Sequence, residues 1–462
     1  MESKSLRSLK GPVLIQLSFL LCFWLIYVAL ERDVIYQNTM GYFAKNYVNE
    51  GGERKEASVP YKVIRNNDLI KWDAAHYHDI KEYGYSPEKA GGEKIYAFFP
   101  LFPYVWHLLN VSPMSWMALN YALFSVGLLI LLYYFSEPHQ HLTNVLLSLS
   151  LPSTIIFFMP YTEAFFFLWT TLAMVGVFRQ KYWLYFIALF LASLTRPSYA
   201  ILMMTFICVE LFFLVIHRNF LLLLKNTALR IVPLLVGTAT VATIQLSQGS
   251  GSPFMFLKAQ KYWDNVLSVP HHLRDWSHES FGINLTVLIV IVVPMLLYIT
   301  VLLYRQLKLS QYPSVFDYER PMDYLVLVAM VYLIGNALFI LLFRAGSLHC
   351  MFRFTLCAPF VYLLLFKAKN YLPVYFEKHR NGLFGLMTVF LMTIFLTSDY
   401  FGRFSFAYFG LILMLLSIFF WVNQNWQNKM AYRIALVVLL LLNAFWTTYL
   451  WNSYINDGWI FA

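Results

Sequence analysis

Apolar runs of roughly 14 to 23 residues follow one another along the chain with short polar links between them, and a helix needs about 20 predominantly apolar residues to cross a bilayer. The windows 12–30, 114–135, 142–158, 161–178, 182–195, 197–216, 229–246, 282–304, 322–343, 350–366, 383–397, 404–422 and 432–450 predict an all-α polytopic membrane protein of about 11 to 13 transmembrane helices. Pro160, Pro197 and Pro359 sit where runs meet or where a helix begins. Two long polar segments, 31–112 and 247–281, interrupt the pattern. In the first, Leu69, Trp72, Tyr77, Ile80 and Tyr83 recur near helical spacing and predict an amphipathic helix lying at the membrane interface between Asp68 and Tyr85. Tyr96-Ala97-Phe98-Phe99-Pro100-Leu101-Phe102-Pro103 reads as an aromatic lead-in to the bundle or as a simple interfacial anchor.

Composition fits this picture. The 462 residues are 60% hydrophobic and only 13% charged, with mean hydropathy +0.59, where a water-soluble domain carries about a quarter charged residues. One integral-membrane domain spanning 1–462 is expected. The first run is longer than a signal-peptide core and lacks a small-residue cleavage site before Glu31, so it reads as a retained anchor. Cys22, Cys208, Cys350 and Cys357 show no Cys-x-x-Cys spacing, which argues against a disulfide framework and a zinc site. The net charge of +10 is spread through short loops without a basic stripe, so no nucleic-acid partner is expected.

Charge decides sidedness instead. A cytosolic N-terminus gathers Lys4, Arg7 and Lys10, Arg179 and Lys181, Arg218, Lys225 and Arg230, Arg305, Lys308 and Arg320, Lys367, Lys369, Lys378 and Arg380, and Lys429 and Arg433 on the cytosolic side, as the positive-inside rule requires. The opposite side then receives 31–112, 247–281 and the links near 159–163, 196, 344–353 and 398–403, and every chemically unusual residue falls there.

Lys71-Trp72-Asp73-Ala74-Ala75-His76-Tyr77 places an acid beside a tryptophan, with a histidine at i+3 that can hold and tune a carboxylate as a general base requires. The alternative is that Asp73 charges a solvated helix face. Glu163, in Pro160-Tyr161-Thr162-Glu163, is either a site acid or a carboxylate suiting the helix dipole. Arg196 stands alone between apolar runs, where it pairs with an anion or snorkels; phosphate matches its guanidinium fork. His349 and Arg353 add a histidine and a second cation on the same face. Two arginines and an aspartate from distant segments describe a base plus a site for an anionic leaving group. In the stretch Ser252 to Asp264, Gln260 and Trp263 can contact a sugar, though aromatic rings also rest on lipid headgroups. No Walker loop, Gly-x-Gly-x-x-Gly, His-Glu-x-x-His or Gly-x-Ser-x-Gly occurs, so nucleotide and zinc chemistry are not expected. An Asn284-Leu285-Thr286 sequon abuts a predicted helix.

Taken in order, Lys71 to Tyr77, Ala97-Phe98-Phe99-Pro100, Pro160-Tyr161-Thr162-Glu163-Ala164, Thr195-Arg196-Pro197 and Ser252-Pro253-Phe254 to Trp263 resemble the PIG-V-like family, the second mannosyltransferases of glycosylphosphatidylinositol synthesis and their bacterial relatives. Beyond Arg353 only hydropathy matches. The resemblance implies a GT-C class bundle and an inverting glycosyltransferase, with mannose the expected sugar. The donor would be a polyprenyl- or dolichyl-phosphate-linked sugar and the acceptor a lipid-linked, GPI-like glycan on the non-cytosolic face. It makes Asp73 the catalytic base, Arg196, Arg353 and His349 the donor phosphate-binding residues, and Trp72, His76, Tyr161, Glu163, Gln260 and Trp263 the substrate-binding set. It requires no metal and no cofactor. Short loops and a lysine-rich composition favour a bacterial plasma membrane, the endoplasmic reticulum membrane being the eukaryotic counterpart. A transporter or flippase of a lipid-linked or amphiphilic solute is the rival reading, and a non-catalytic scaffold subunit a third. A transporter should carry its ionisable residues near the midplane of discontinuous helices, whereas this chain concentrates them at one face.

Overall fold

The computed structural model describes residues 6–31, 45–50, 53–58, 63–263, 265–271, 273, 278–308, 315–372, 374–397, 406–424 and 426–457. Its helices, in chain order, are α1 (Lys10–Leu30), α2 (Asp73–Tyr83), α3 (Leu101–Leu109), α4 (Pro113–Phe135), α5 (His141–Leu149), α6 (Glu163–Phe178), α7 (Tyr182–Thr195), α8 (Tyr199–His217) and α9 (Phe220–Ser247). They continue with α10 (Phe281–Lys308), α11 (Pro321–Phe343), α12 (Met351–Leu356), α13 (Pro359–Lys367), α14 (Val374–Thr397), α15 (Phe406–Val422) and α16 (Lys429–Ile455). Local sequence starts several of them. The Ser112 hydroxyl accepts the Ser115 N–H at 3.2 Å ahead of Pro113 at the first helical position of α4, and Asn219 and Asn428 cap α9 and α16 in the same way.

Seven described helices are long and apolar enough to cross a bilayer, and the chain is an all-α multi-pass membrane protein. They are α1, α4, α8, α9, α10, α11 and α16. The other windows resolve differently. The run 142–158 bends by 81° between α5 and the turn Pro152–Phe158, and 350–366 divides into α12 and α13 ahead of Pro359. The cause is the same in both: proline cannot donate to the preceding turn and disfavours a helical residue before it. α6 and α7 are shorter apolar helices. They lie backbone to backbone at Gly176, where an added Cβ would come 2.5 Å from the Tyr185 nitrogen. Close approach at small residues is how helices associate in lipid.

From residue 63 onward the first polar segment folds onto one end of the bundle. The helix expected between Asp68 and Tyr85 is α2, which begins only at Asp73 and buries Ala74, Tyr77 and Ile80; Leu69 belongs to a separate turn and Trp72 precedes the helix. α3 follows, with Trp106 stacked on Trp116 at 5.4 Å and Trp116 on Phe165 at 5.7 Å, so the aromatic lead-in is core. An unpredicted antiparallel hairpin pairs Lys45–Glu50 with Glu53–Ser58, Lys45 opposite Ser58. The sequon is buried: Asn284 accepts the Phe352 N–H at 2.6 Å and is a structural residue.

Candidate functional site

Four charged residues from four distant segments meet at the end of the bundle under α2. Asp73 is the first residue of α2, Glu163 the first of α6, Arg196 follows α7, and Arg353 lies in α12. Arg353 joins the two acids. Its Nη1 donates to Asp73 Oδ2 at 2.8 Å and its Nε to Glu163 Oε1 at 2.7 Å, while Arg196 Nη1 reaches the same Glu163 oxygen at 3.3 Å. The order acid, base, acid, base sums to zero charge, which is how buried charges are tolerated. The planar guanidinium groups also lie over rings. The Arg353 Cζ is 4.5 Å from the Tyr161 centroid, and the Arg196 Cζ is 4.6 Å from that of Phe354.

Exposure separates the two acids. Glu163 is fully buried, whereas the Asp73 side chain keeps 26% of its surface. Glu163 Oε2 is buried and accepts no hydrogen bond from the described residues, leaving an acceptor position for a hydroxyl. Burial raises the Asp73 carboxyl, but attraction and hydrogen bonding from Arg353, with smaller contributions from His76 and Arg196, outweigh it and hold the group below its ordinary value. Asp73 is therefore an ionised, partly accessible carboxylate at neutral pH.

Histidine does not hold Asp73, contrary to the i+3 spacing. The His76 ring lies 4.7 Å from Phe98 and meets Trp263 edge-on at 5.4 Å, and Arg353 takes the role of carboxylate partner. Burial depresses the His76 imidazole below its ordinary value. Trp263 belongs to the same aromatic wall, 5.6 Å from Phe98, and Trp72 stands half-exposed at the rim with 36% of its surface open. Gln260 accepts from Asn265 Nδ2 at 2.7 Å rather than joining the charged network. His349 lies within electrostatic reach of Arg353 and Asp73; burial first, then Arg344 and Arg353, push its imidazole down to about 3. Asp264 lies outside the described residues.

Three further residues support the site, of which the sequence pattern had marked Tyr77 alone, as part of the α2 stripe. Asn120, fully buried on α4, donates to the carbonyls of Met159 and Tyr161 and fixes the chain just before Glu163. The Tyr77 ring packs against Phe98 at 5.1 Å and Phe102 at 4.9 Å and ties α2 to α3. Arg344, just past α11, donates to Asn265 Oδ1 at 3.1 Å and to the His349 carbonyl at 3.3 Å, and no described carboxylate pairs with it. The signals were present for two of them, as a lone asparagine in an apolar run and an arginine at the end of another.

Among the described residues no three His, Cys, Asp or Glu side chains group so as to hold a metal ion. A cavity of about 220 Å³ lies elsewhere, among α10, α11, α13, α14 and α15; apart from Lys369, Arg380 and Ser417 its lining is almost wholly apolar, and it includes none of the four charged residues. It offers volume without reactive groups, so the charged network is the candidate site. Comparison of the chain with family models, curated proteins and solved structures returns no match in any of the three.

Proposed function

We propose that the chain is an inverting glycosyltransferase that moves a sugar, mannose being the expected one, from a polyprenyl- or dolichyl-phosphate donor to a lipid-linked glycan on the non-cytosolic face of the membrane. The observation that carries the reading is the convergence of Asp73, Glu163, Arg196 and Arg353 at one end of an apolar bundle, with Asp73 the accessible acid. In this reaction an acceptor hydroxyl approaches Asp73 and gives up its proton to the carboxylate as its oxygen bonds to the anomeric carbon. The anomeric carbon–oxygen bond breaks on the opposite side, and its electron pair leaves with the lipid phosphate. The hydroxyl becomes acidic only as the new bond forms, so a carboxylate of low basicity suits a late proton transfer.

The leaving phosphate needs positive charge. Arg196 and Arg353 are already neutralised by carboxylates, whereas among the described residues Arg344 contacts only neutral groups, Asn265 and the His349 carbonyl. Arg344 is therefore the primary phosphate cation in this scheme, with Arg353 orienting Asp73 and Arg196 balancing Glu163. The test is transfer of radiolabelled mannose from polyprenyl-phosphate-mannose by the purified protein, absent in Asp73→Asn.

Transport of a lipid-linked solute is the second reading, favoured by the 81° break after α5, since transporter sites are built at interrupted helices. Flux of a labelled lipid-linked sugar in sealed vesicles without covalent transfer would select it.

A further inference from the structure

The backbone immediately before Asp73 is strained. The Lys71 carbonyl accepts the Ala74 N–H at 3.0 Å, and between them Trp72 has φ 53° and ψ −126°. Those angles belong to the first central position of a type II′ turn, which glycine normally fills because a Cβ is disfavoured there. A tryptophan stays in such a conformation only when its surroundings over-determine it.

The surroundings come from the far end of the chain. The buried Tyr454 hydroxyl, in the last turn of α16, donates to the carbonyls of both Leu69 at 3.1 Å and Lys71 at 3.2 Å. Lys71 Nζ answers by donating to the Ile455 carbonyl at 2.8 Å and pairing with Asp457 Oδ1 at 2.8 Å. The Ile455 carbonyl is one of those a helix leaves unpaired at its C-terminus, where the dipole favours a cation. The Tyr454 ring also stands edge-on to Tyr161 at 6.4 Å, and Tyr161 lies against Arg353. The end of α16 thus grips both sides of the turn and touches the residue that supports the partner of Asp73.

We infer that the C-terminal turn of α16 is a clamp that holds Trp72 in its strained conformation and so aims Asp73 at Arg353, Tyr454 and Lys71 being positioning residues for the reaction. The aiming role rests on the proposed function; the clamp itself does not. Loosening it lets Trp72 relax to negative φ, which turns the following peptide and carries Asp73 off its 2.8 Å contact with Arg353.

Strain supplies the test, because glycine adopts this turn without help and alanine does not. Tyr454→Phe is placed in the wild type, in Trp72→Ala, which keeps the Cβ but loses the ring, and in Trp72→Gly. The expected result is a fall in kcat of about tenfold with unchanged donor KM in the first two backgrounds, and of no more than about twofold in the glycine background. An equal fall in the alanine and glycine backgrounds, or no fall in the wild type, overturns the clamp. The same cycle is read by melting in detergent, where Tyr454→Phe should lower the Tm less with glycine at 72 than with alanine; equal losses overturn the clamp. A wild type that transfers no sugar overturns the glycosyltransferase reading, and melting then decides the clamp alone. Should Tyr454→Phe fail to insert, Lys71→Gln goes through the same cycle with the same expected and overturning results.

Discussion

Replacing the Asp73 carboxylate by an amide isolates chemistry from architecture. In Asp73→Asn the amide oxygen can still accept from Arg353 Nη1, now 2.8 Å from the carboxylate. What is lost is the charge assistance, since hydrogen bonds to ionised groups are roughly twice as strong as neutral ones. The stability cost is therefore about 1 kcal/mol, too small to unfold the bundle. The site meanwhile changes from neutral to a net charge of +1, so an anionic lipid phosphate should bind as well as before or more tightly. The amide cannot take the acceptor's proton, and removing a general base costs about 100-fold or more in turnover, equivalent to about 2.7 kcal/mol on the barrier. Initial rates of mannose transfer across a donor titration separate these effects, with circular dichroism and melting confirming the fold. Arg353→Met gives the contrast: it strands two carboxylates and should cost about 3–5 kcal/mol, so loss of fold is expected there and not in Asp73→Asn. Transfer by Asp73→Asn near the wild-type rate would remove Asp73 from the mechanism.

The pH profile follows from the same contact. The folded Asp73 pKa is depressed, so the stability it contributes is present above the unfolded value and lost as pH falls through the folded one, and the acidic limb of activity should lie below the ordinary carboxylate value of about 3.9. Arg353→Lys, which keeps the charge but loses the guanidinium fork, should move that limb upward. His349, pushed down to about 3, costs stability below its unfolded value of about 6.5; His349→Gln should flatten the fall in melting temperature between pH 6.5 and 5. Arg344→Ala should raise the donor KM about tenfold or more, with only partial recovery in Arg344→Lys because the fork is lost; an unchanged donor KM would take Arg344 out of the phosphate site. If the Lys and Arg distribution sets sidedness as read, cysteines placed at Glu53 and Gln260 should react with an impermeant thiol reagent in intact cells and one at Lys308 should not. The reverse labelling would invert the topology.

The parts of this protein that were legible in its sequence are those governed by local rules. Membrane class follows from apolar run length, and α2 was legible only in part: of Leu69, Trp72, Tyr77, Ile80 and Tyr83, Tyr77 and Ile80 form its buried face, Tyr83 is exposed, and Leu69 and Trp72 precede the helix. Asp73, Glu163, Arg196 and Arg353 stood out individually because a charge beside apolar sequence needs a partner. Their pairing was hidden: a lone arginine between apolar runs looks the same whether it awaits a phosphate or already holds a carboxylate 190 positions away, as Arg353 holds Glu163. The i+3 rule favoured His76 as the carboxylate's companion, but burial of the imidazole against Phe98 and Trp263 leaves the more strongly cationic Arg353 to take that place. The run 432–450 announced the C-terminal helix, but the role of its last turn was least legible of all. Tyr454 and Ile455 lie just past the apolar run 432–450, among Asn452, Ser453 and Asn456, with nothing to mark them, and their importance arises because Lys71 and a strained tryptophan, more than 380 positions earlier, fold against them. A short turn with an unfavourable φ cannot be specified by its own residues, so the information that fixes it has to reside elsewhere in the chain.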